Sequence, residues 1–214
     1  MKLIDLVQEG PVFLPPKRGE TIEDEHGTYI SQNTFKRNYV KISEFPLSEP
    51  IGEHNKVEIL LSKGGKLVEG VIPSKRPIDQ DMGYRIVFSL MFKNTLPNVS
   101  KEILNKKTVQ VDGVSTHKQF EGKGLATFVY FLLVHQGYTI ISDFYHEFGG
   151  LKLWRKLARL AGLNDYQVNI LDNGELVRDK EGNVLRFDDG NYPKSKIWST
   201  APNQSLKDVL LVMR

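Results

Sequence analysis

The segment VQVDGVSTHKQFEGKGLATFVYFLL, from Val109 to Leu133, carries the strongest structural signal in the chain. Its first residues alternate β-branched and polar side chains, a pattern that is typical of a half-buried strand. From Leu125 onward the residues are apolar except for Thr127 and Tyr130, and a helix that is apolar on most faces is buried. The segment therefore predicts a strand, a polar turn with glycines, and a buried helix.

The two glycines of the turn suggest a binding role. Gly122 and Gly124 have no Cβ, so a ligand can approach their backbone closely. At the start of the following helix, several N–H groups lack an internal partner, and the helix dipole adds partial positive charge. Such a turn suits an anion such as a pyrophosphate. The spacing Gly-x-Gly also occurs in turns that bind nothing, and the spacing alone does not separate the two interpretations.

The turn and its surroundings resemble the GNAT superfamily of acetyl-CoA-dependent N-acetyltransferases. The hexapeptide Gln119-Phe120-Glu121-Gly122-Lys123-Gly124 is similar to the family's Gln/Arg-x-x-Gly-x-Gly/Ala signature. As in that family, a strand precedes the signature and an apolar helix follows it. A short strand at Tyr138–Ser142 and a second helix around Leu151–Leu157 come next. The resemblance covers about residues 109–160.

The resemblance also implies an architecture. We expect an α+β fold of three layers, in which a mixed, mostly antiparallel central sheet is flanked by helices. Residues 56–214 would form the acetyltransferase-like domain, and residues 1–55 an N-terminal extension packed on its core. Prolines interrupt that extension, so it predicts no long helix except near Leu3–Gln8. Short strands are predicted at Thr28–Ile30 and Asn38–Ile42.

The resemblance implies transfer of an acetyl group from acetyl-CoA, as cosubstrate, to an amine that attacks the thioester directly. Backbone groups of the signature would hold the pyrophosphate, and the preceding strand end would bind the pantetheine arm. The implied cofactor-binding residues are Val114, Ser115, Thr116, Gln119, Phe120, Glu121, Gly122, Lys123, Gly124 and Leu125. The acceptor stays open between a small amine, a peptide terminus and a protein lysine, and the oligomeric state is open as well.

The general acid departs from the family pattern. Many GNAT enzymes use a tyrosine on the second helix to protonate the leaving thiolate, and the matching position here is Trp154. An indole N–H has no useful acidity. Tyr145 and His146, just before that helix, are the nearest replacements and are the predicted catalytic residues. The candidates for a base are Asp112, His117, Asp143 and Glu147.

Several further elements are predicted from pattern alone. Strands at Val57–Leu61 and Leu67–Ile72 flank Gly64-Gly65, which predicts a tight hairpin turn. Further strands are predicted at Tyr84–Phe92, Tyr166–Leu171, Glu175–Val177, Val184–Phe187 and Val209–Met213, and a helix at Phe148–Ala161. Asp172-Asn173-Gly174 is a turn signal.

Composition excludes several classes of site. The chain of 214 residues has no cysteine, so it has neither disulfides nor thiolate metal ligands. No pair of histidines has metal-ligand spacing, and no metal site is predicted. No window approaches the roughly 20 apolar residues of a membrane span, and no secretory leader is visible. These features predict a cytoplasmic protein without membrane partners.

Two alternative functions remain open. Trp154 at the acid position favours a catalytically inactive protein that keeps the acetyltransferase-like fold as a binding or interaction module. The basic residues Lys152, Arg155, Lys156 and Arg159 leave a nucleic-acid-binding helix open. A net charge of +3 does not favour that partner, and one basic helix is common on globular surfaces. The general pattern is similar to acetyltransferase-like proteins carried by phages.

Overall fold

Strands dominate the regular structure. The computed structural model describes residues 21–24, 27–78, 81–94, 96, 98–143, 148–188 and 209–214. Its eleven strands are β1 (Thr21–Asp24), β2 (Gly27–Ser31), β3 (Tyr39–Ile51), β4 (His54–Ser62), β5 (Leu67–Ile78), β6 (Asp81–Phe92), β7 (Thr108–Thr116), β8 (Thr139–Ile141), β9 (Val168–Asp172), β10 (Glu175–Leu176) and β11 (Val209–Met213). Its three α-helices are α1 (Gln32–Asn38), α2 (Leu125–His135) and α3 (Phe148–Ala161), and a 3-10 turn spans Lys118–Phe120.

The described chain divides into two compact units. Unit 1 contains the described residues up to Asn94 and the segment Gly113–Ala126. Unit 2 contains the described residues of 95–112 and 127–214. Strand β7 and helix α2 contribute residues to both units, because the divisions fall after residues 112 and 126. The predicted boundary at residues 55/56 falls inside β4.

Unit 1 is built on long antiparallel strands. β3, β4, β5 and β6 are neighbours in that order, β2 pairs with β6, and β1 pairs with β2. Buried Ile30, Leu60, Val71 and Ile86 form a core that partly buried aromatic residues extend. Ser31 is the N-cap of helix α1, and its Oγ accepts the Thr34 N–H at 3.2 Å.

The glycine hairpin is confirmed. β4 and β5 pair antiparallel, from Leu61 opposite Val68 to Glu58 opposite Val71. Gly65 has φ of +69°, and its N–H donates to the Ser62 carbonyl at 2.8 Å. The left-handed conformation that the Gly-Gly pair predicted is therefore used at Gly65.

Strand β3 is longer than predicted. The predicted strand ended at Ile42, whereas β3 spans 13 residues through Pro46 and Pro50. Strand β3 ends the described strand order, so it has a neighbour on one side. Proline lacks an N–H, and it is tolerated at a sheet edge because no strand there needs the donor. Its presence also discourages pairing with another chain.

Unit 2 has the mixed part of the sheet. β7 and β8 pair in parallel over Thr108–Gln110 and Thr139–Ile141. Strand β11 lies between β8 and β9 and is antiparallel to both. Strands β9 and β10 form a hairpin. The core of this unit contains Ile103, Ile141, Leu171, Leu176, Leu210 and Val212.

The predicted helices that lie in the described chain are confirmed. Helix α2 covers Leu125–His135, and α3 covers the predicted Phe148–Ala161. In α3, Trp154, Leu157 and Ala161 are buried, as expected for a surface helix that packs through one apolar stripe. The most apolar helix, α2, has 11 residues. None of the helices in the described ranges has the length and apolar character needed to cross a membrane.

The predicted three-layer fold with helices flanking the sheet is wrong. Strands make up 47% of the structure. Its described ranges contain three α-helices. In unit 1 only α1, with seven residues, lies wholly among its described residues. The prediction of layers came from a resemblance that covers residues 109–160. Outside that stretch, the sequence between Tyr39 and Phe92 has the composition and alternation of long strands, and strands are what form there.

Candidate functional site

Two glycines in the turn between β7 and α2 adopt left-handed backbone conformations. Gly122 has φ of +72° and Gly124 has φ of +90°, a region in which residues with a Cβ are strained. A Cβ built on either glycine would meet no atom within 4 Å. The space around both glycines is therefore open to a ligand.

Buried side chains hold this turn in place. Phe120 and Leu125 are each 1% exposed, so the turn is anchored before and after the glycines. The N–H of Phe120 donates to the His117 carbonyl at 2.7 Å. Among the described residues, no hydrogen bond engages the N–H groups of Gly122 and Gly124. The first-turn N–H groups of α2 come directly after them and have no partner within the helix.

The end of β7 carries an unsatisfied hydroxyl. Val114, Ser115 and Thr116 are half-buried. The Ser115 Oγ is buried and has no hydrogen-bond partner in the described part of the chain. A buried polar atom without a partner is rare and costs about 1–3 kcal/mol, so it calls for an explanation such as a ligand.

Two charged residues of the turn point to solvent. Glu121 is exposed, and the Lys123 side chain is 33% exposed. The Lys123 Nζ lies 3.8 Å from a carboxylate oxygen of Glu49, whose side chain is 81% exposed. Such an exposed pair contributes about 0–1 kcal/mol, which leaves Lys123 available to a bound anion.

His117 begins the turn and contacts an arginine on β6. Its Nε2 lies 2.6 Å from an Nη of Arg85. Burial, and then the charge of Arg85, lower the pKa of His117, while Glu121 opposes them. A guanidinium can only donate, so Nε2 of the neutral ring is the acceptor. The Gln119 N–H lies 3.3 Å from Nδ1, but one neutral ring offers one acceptor nitrogen, and the shorter Arg85 contact defines it.

The same arginine lines a pocket within unit 1. The pocket has a volume of about 390 Å³. Its walls are the β3–β4 turn at Ile51–His54, the β5 segment Ile72–Ser74, and the side chains of Tyr29, Arg85 and Gln119. Gln119 belongs to the cofactor-binding prediction, so the pocket adjoins the glycine turn.

Trp154 is a core residue. It is 3% exposed, and its ring packs edge-on against Tyr130 at 5.6 Å between centroids. Burial, and then the charge of Asp143, raise the pKa of Tyr130 above its usual range. Neither aromatic residue therefore supplies an acidic proton near neutral pH.

The predicted catalytic residues Tyr145 and His146 lie outside the described residues, as does the candidate base Glu147. Asp112 and Asp143 are half-buried members of unit 2. His117 belongs to unit 1, and its acceptor nitrogen is engaged by Arg85. A base needs that lone pair, so this arrangement does not favour His117 as the base.

Arg85 and the pocket were missed by sequence reasoning. Arg85 sits in a strand of β-forming residues and has no catalytic spacing to any other residue. A single charge inside an apolar strand was the available signal. The role of Arg85 depends on which strands pair with β6 and in which register, and this pairing cannot be read from the sequence.

Comparison of the chain with protein-family models, with curated proteins and with solved structures gives no match.

Proposed function

We propose that this protein is an acyltransferase that transfers an acetyl group from acetyl-CoA to an amine. The observation that carries the proposal is the turn before α2, where Gly122 and Gly124 are left-handed, open and, within the described chain, without hydrogen bonds on their N–H groups. The order of strand, turn, helix, strand and helix from Thr108 to Ala161 supports it.

The turn suits the pyrophosphate of the cosubstrate. Unpaired N–H groups and the positive end of the α2 dipole favour a bound anion. Lys123 adds a positive charge at the same turn. The buried Ser115 Oγ can form a hydrogen bond with the amide-rich pantetheine arm, which would satisfy it.

The reaction forms a C–N bond and breaks the C–S bond of the thioester. The neutral amine attacks the carbonyl carbon, the amine proton leaves to a base, and the CoA sulfur departs as a thiolate that takes up a proton. N–H groups at the carbonyl oxygen would stabilise the tetrahedral oxyanion. Tyr145 and His146 remain the proposed proton donors, since the indole N–H of Trp154 is not acidic enough to protonate the thiolate.

The first experiment is calorimetric titration of the full chain with acetyl-CoA. Gly122→Trp fills the open space at the turn, and we expect binding at least about tenfold weaker, because one lost charge-assisted contact is worth that much. Gly65→Trp is the matched control: Gly65 has φ of +69° and is also open, but lies in the β4–β5 turn. It imposes a similar backbone strain and should bind like the native chain.

Two results would contradict the proposal. One is a native chain that binds no acyl-CoA. The other is a Gly122→Trp variant that binds as tightly as the Gly65→Trp control, which would place the cosubstrate elsewhere. Release of free thiol from acetyl-CoA in the presence of an amine panel then tests turnover.

A catalytically inactive binding module is the second candidate. The buried Trp154 at the acid position favours it. It predicts acetyl-CoA binding that depends on Gly122, without thiol release for any amine of the panel.

A further inference from the structure

We propose that the pocket of unit 1 binds the acceptor through a carboxylate held by Arg85. The inference rests on the proposed function and deepens it: the acceptor would be a small amine that also carries a carboxylate.

The floor of the pocket is a row of side chains across three strands. Tyr29 of β2 lies opposite Arg85 of β6, and Arg85 lies opposite Ile72 of β5. Directly opposed residues share one face of a sheet, and all three line the pocket. Successive residues of a strand point to opposite faces, so Arg85 lies on the face away from the core residue Ile86. The guanidinium is therefore central to the pocket floor.

The guanidinium has unused donors. One Nη donates to His117, while Nε is buried and has no partner in the described part of the chain. No salt bridge joins Arg85 to a carboxylate among those residues. An arginine keeps its charge at all relevant pH values, and its planar fork matches a carboxylate in two parallel hydrogen bonds. A bound carboxylate would satisfy both the charge and the buried N–H.

The other charges of the pocket select the kind of ligand. Arg85 is the permanently charged cation among the lining residues, and His117 beside it is neutral. One positive charge matches a carboxylate better than a phosphate dianion. The volume of about 390 Å³ lies within the range of small-molecule sites.

The test compares matched amines as acceptors. Each ω-amino acid from β-alanine to 6-aminohexanoate is paired with the n-alkylamine of equal carbon number, and thiol release from acetyl-CoA is measured. We expect kcat/KM to be at least about tenfold higher for the amino acid of the best pair, the effect of one charged hydrogen-bonded contact. Arg85→Gln should abolish this preference, so that kcat/KM for the amino acid falls to that of the paired alkylamine. Arg85→Lys, which keeps the charge and loses the fork, should retain part of the preference and covers the case in which Arg85→Gln fails to fold.

A binding measurement separates this inference from the proposed function. Saturation-transfer NMR with 4-aminobutyrate and n-butylamine needs no turnover. If no amine releases thiol but 4-aminobutyrate alone binds, and Arg85→Gln abolishes its signal, the proposed function fails and the carboxylate pocket stands. The exposed Arg159→Gln is the control and should behave as native.

Three results would overturn the inference. The first is turnover without preference for the carboxylate, in which case the proposed function survives alone. The second is a preference that Arg85→Gln leaves intact. The third is a stronger preference for 3-aminopropylphosphonate than for 4-aminobutyrate.

Discussion

Glu69 and Arg85 in unit 1 each bury a polar atom of an ionisable group, and they differ in whether the group keeps its charge. Glu69 on β5 is 5% exposed, and burial raises its pKa to about 7, although a hydrogen bond from the Tyr39 hydroxyl opposes the rise. Its second carboxyl oxygen has no partner in the described part of the chain. Glu69 can therefore take up a proton, whereas the half-buried Arg85 keeps its charge and relies on the neutral His117.

Glu69 makes folding stability depend on pH. Its pKa is higher in the folded chain, about 7, than the ordinary 4.5. The folded state therefore binds the proton more tightly, and the stability is fully present below pH 4.5 and falls as pH rises to about 7. We expect Glu69→Gln, which cannot ionise, to remove this loss and raise the free energy of unfolding at pH 8 by up to about 3 kcal/mol.

Urea unfolding at pH 4.5 and pH 8 measures this effect. Glu175→Gln, on the exposed side of β10, is the control and should keep the native pH dependence. A Glu69→Gln variant that is no more stable than the native chain at pH 8 would mean that Glu69 is not desolvated in the folded state.

Two turns of unit 2 contain a glycine with a positive φ, and a Cβ would clash with a neighbouring atom in only one of them. Asn173 and Gly174 join β9 to β10 with φ of +52° and +82°, as an Asn-Gly hairpin turn requires. A Cβ on Gly174 would lie 2.1 Å from the Asn98 carbonyl oxygen. Gly182 has φ of +86°, but a Cβ there would meet no atom within 4 Å.

Gly174→Ala should therefore be the more damaging substitution. We expect Gly182→Ala to lower the free energy of unfolding by about 1 kcal/mol, the cost of a left-handed alanine. Gly174→Ala should lower it by about 3 kcal/mol, because the backbone at Asn98 must also move. Thermal unfolding of both variants checks the difference. Equal losses in the free energy of unfolding would show that the backbone at Asn98 can move away from the new Cβ without destabilising the fold.

The elements from Thr108 to Ala161 and the strands β4, β5 and β6 were largely predictable, and the elements before β4 were predicted less well. Strand β7, helix α2, strand β8 and helix α3 lie within a few residues of their predicted bounds, because each has a strong local pattern. Helix α1 and most of β3 were missed. Helix α1 is stabilised by the Ser31 cap and by stacking of the Phe35 ring on the Tyr84 ring, with 4.7 Å between the ring centroids. Phe35 and Tyr84 are far apart in the sequence, so local patterns do not reveal this contact.

At the scale of the whole molecule, residues 27–51 belong to the sheet of unit 1. Strand β3 pairs with β4 and β2 pairs with β6. Ile30 contributes to the core, and the Tyr39 hydroxyl binds Glu69. These contacts make residues 27–51 an integral part of the sheet of unit 1.

A chain of residues 56–214 should lose the cooperative unfolding of unit 1. It would expose one edge of β4, open the core at Leu60 and leave Glu69 without its hydrogen bond. Circular dichroism during heating measures the transition, with Ile30→Ala in the full chain as a milder comparison that should cost about 2–5 kcal/mol. If residues 56–214 melt like the full chain, the first 55 residues are not needed for the stability of unit 1.

Local features were readable from the order of the amino acids: the helices α2 and α3, the glycine turns, and the strand β11 at Val209–Met213. Side-chain period and the freedom of glycine act within a few residues, so they can be seen in the chain. Three further features were decided only by folding. Strand β11 lies between β8 and β9, and the sheet is not flanked by helices as predicted. Arg85 and Glu69 each bury a polar atom that has no partner among the described residues. Those outcomes depend on which distant strands pair and in which register, and a one-residue shift in register would turn each of these side chains to the other face.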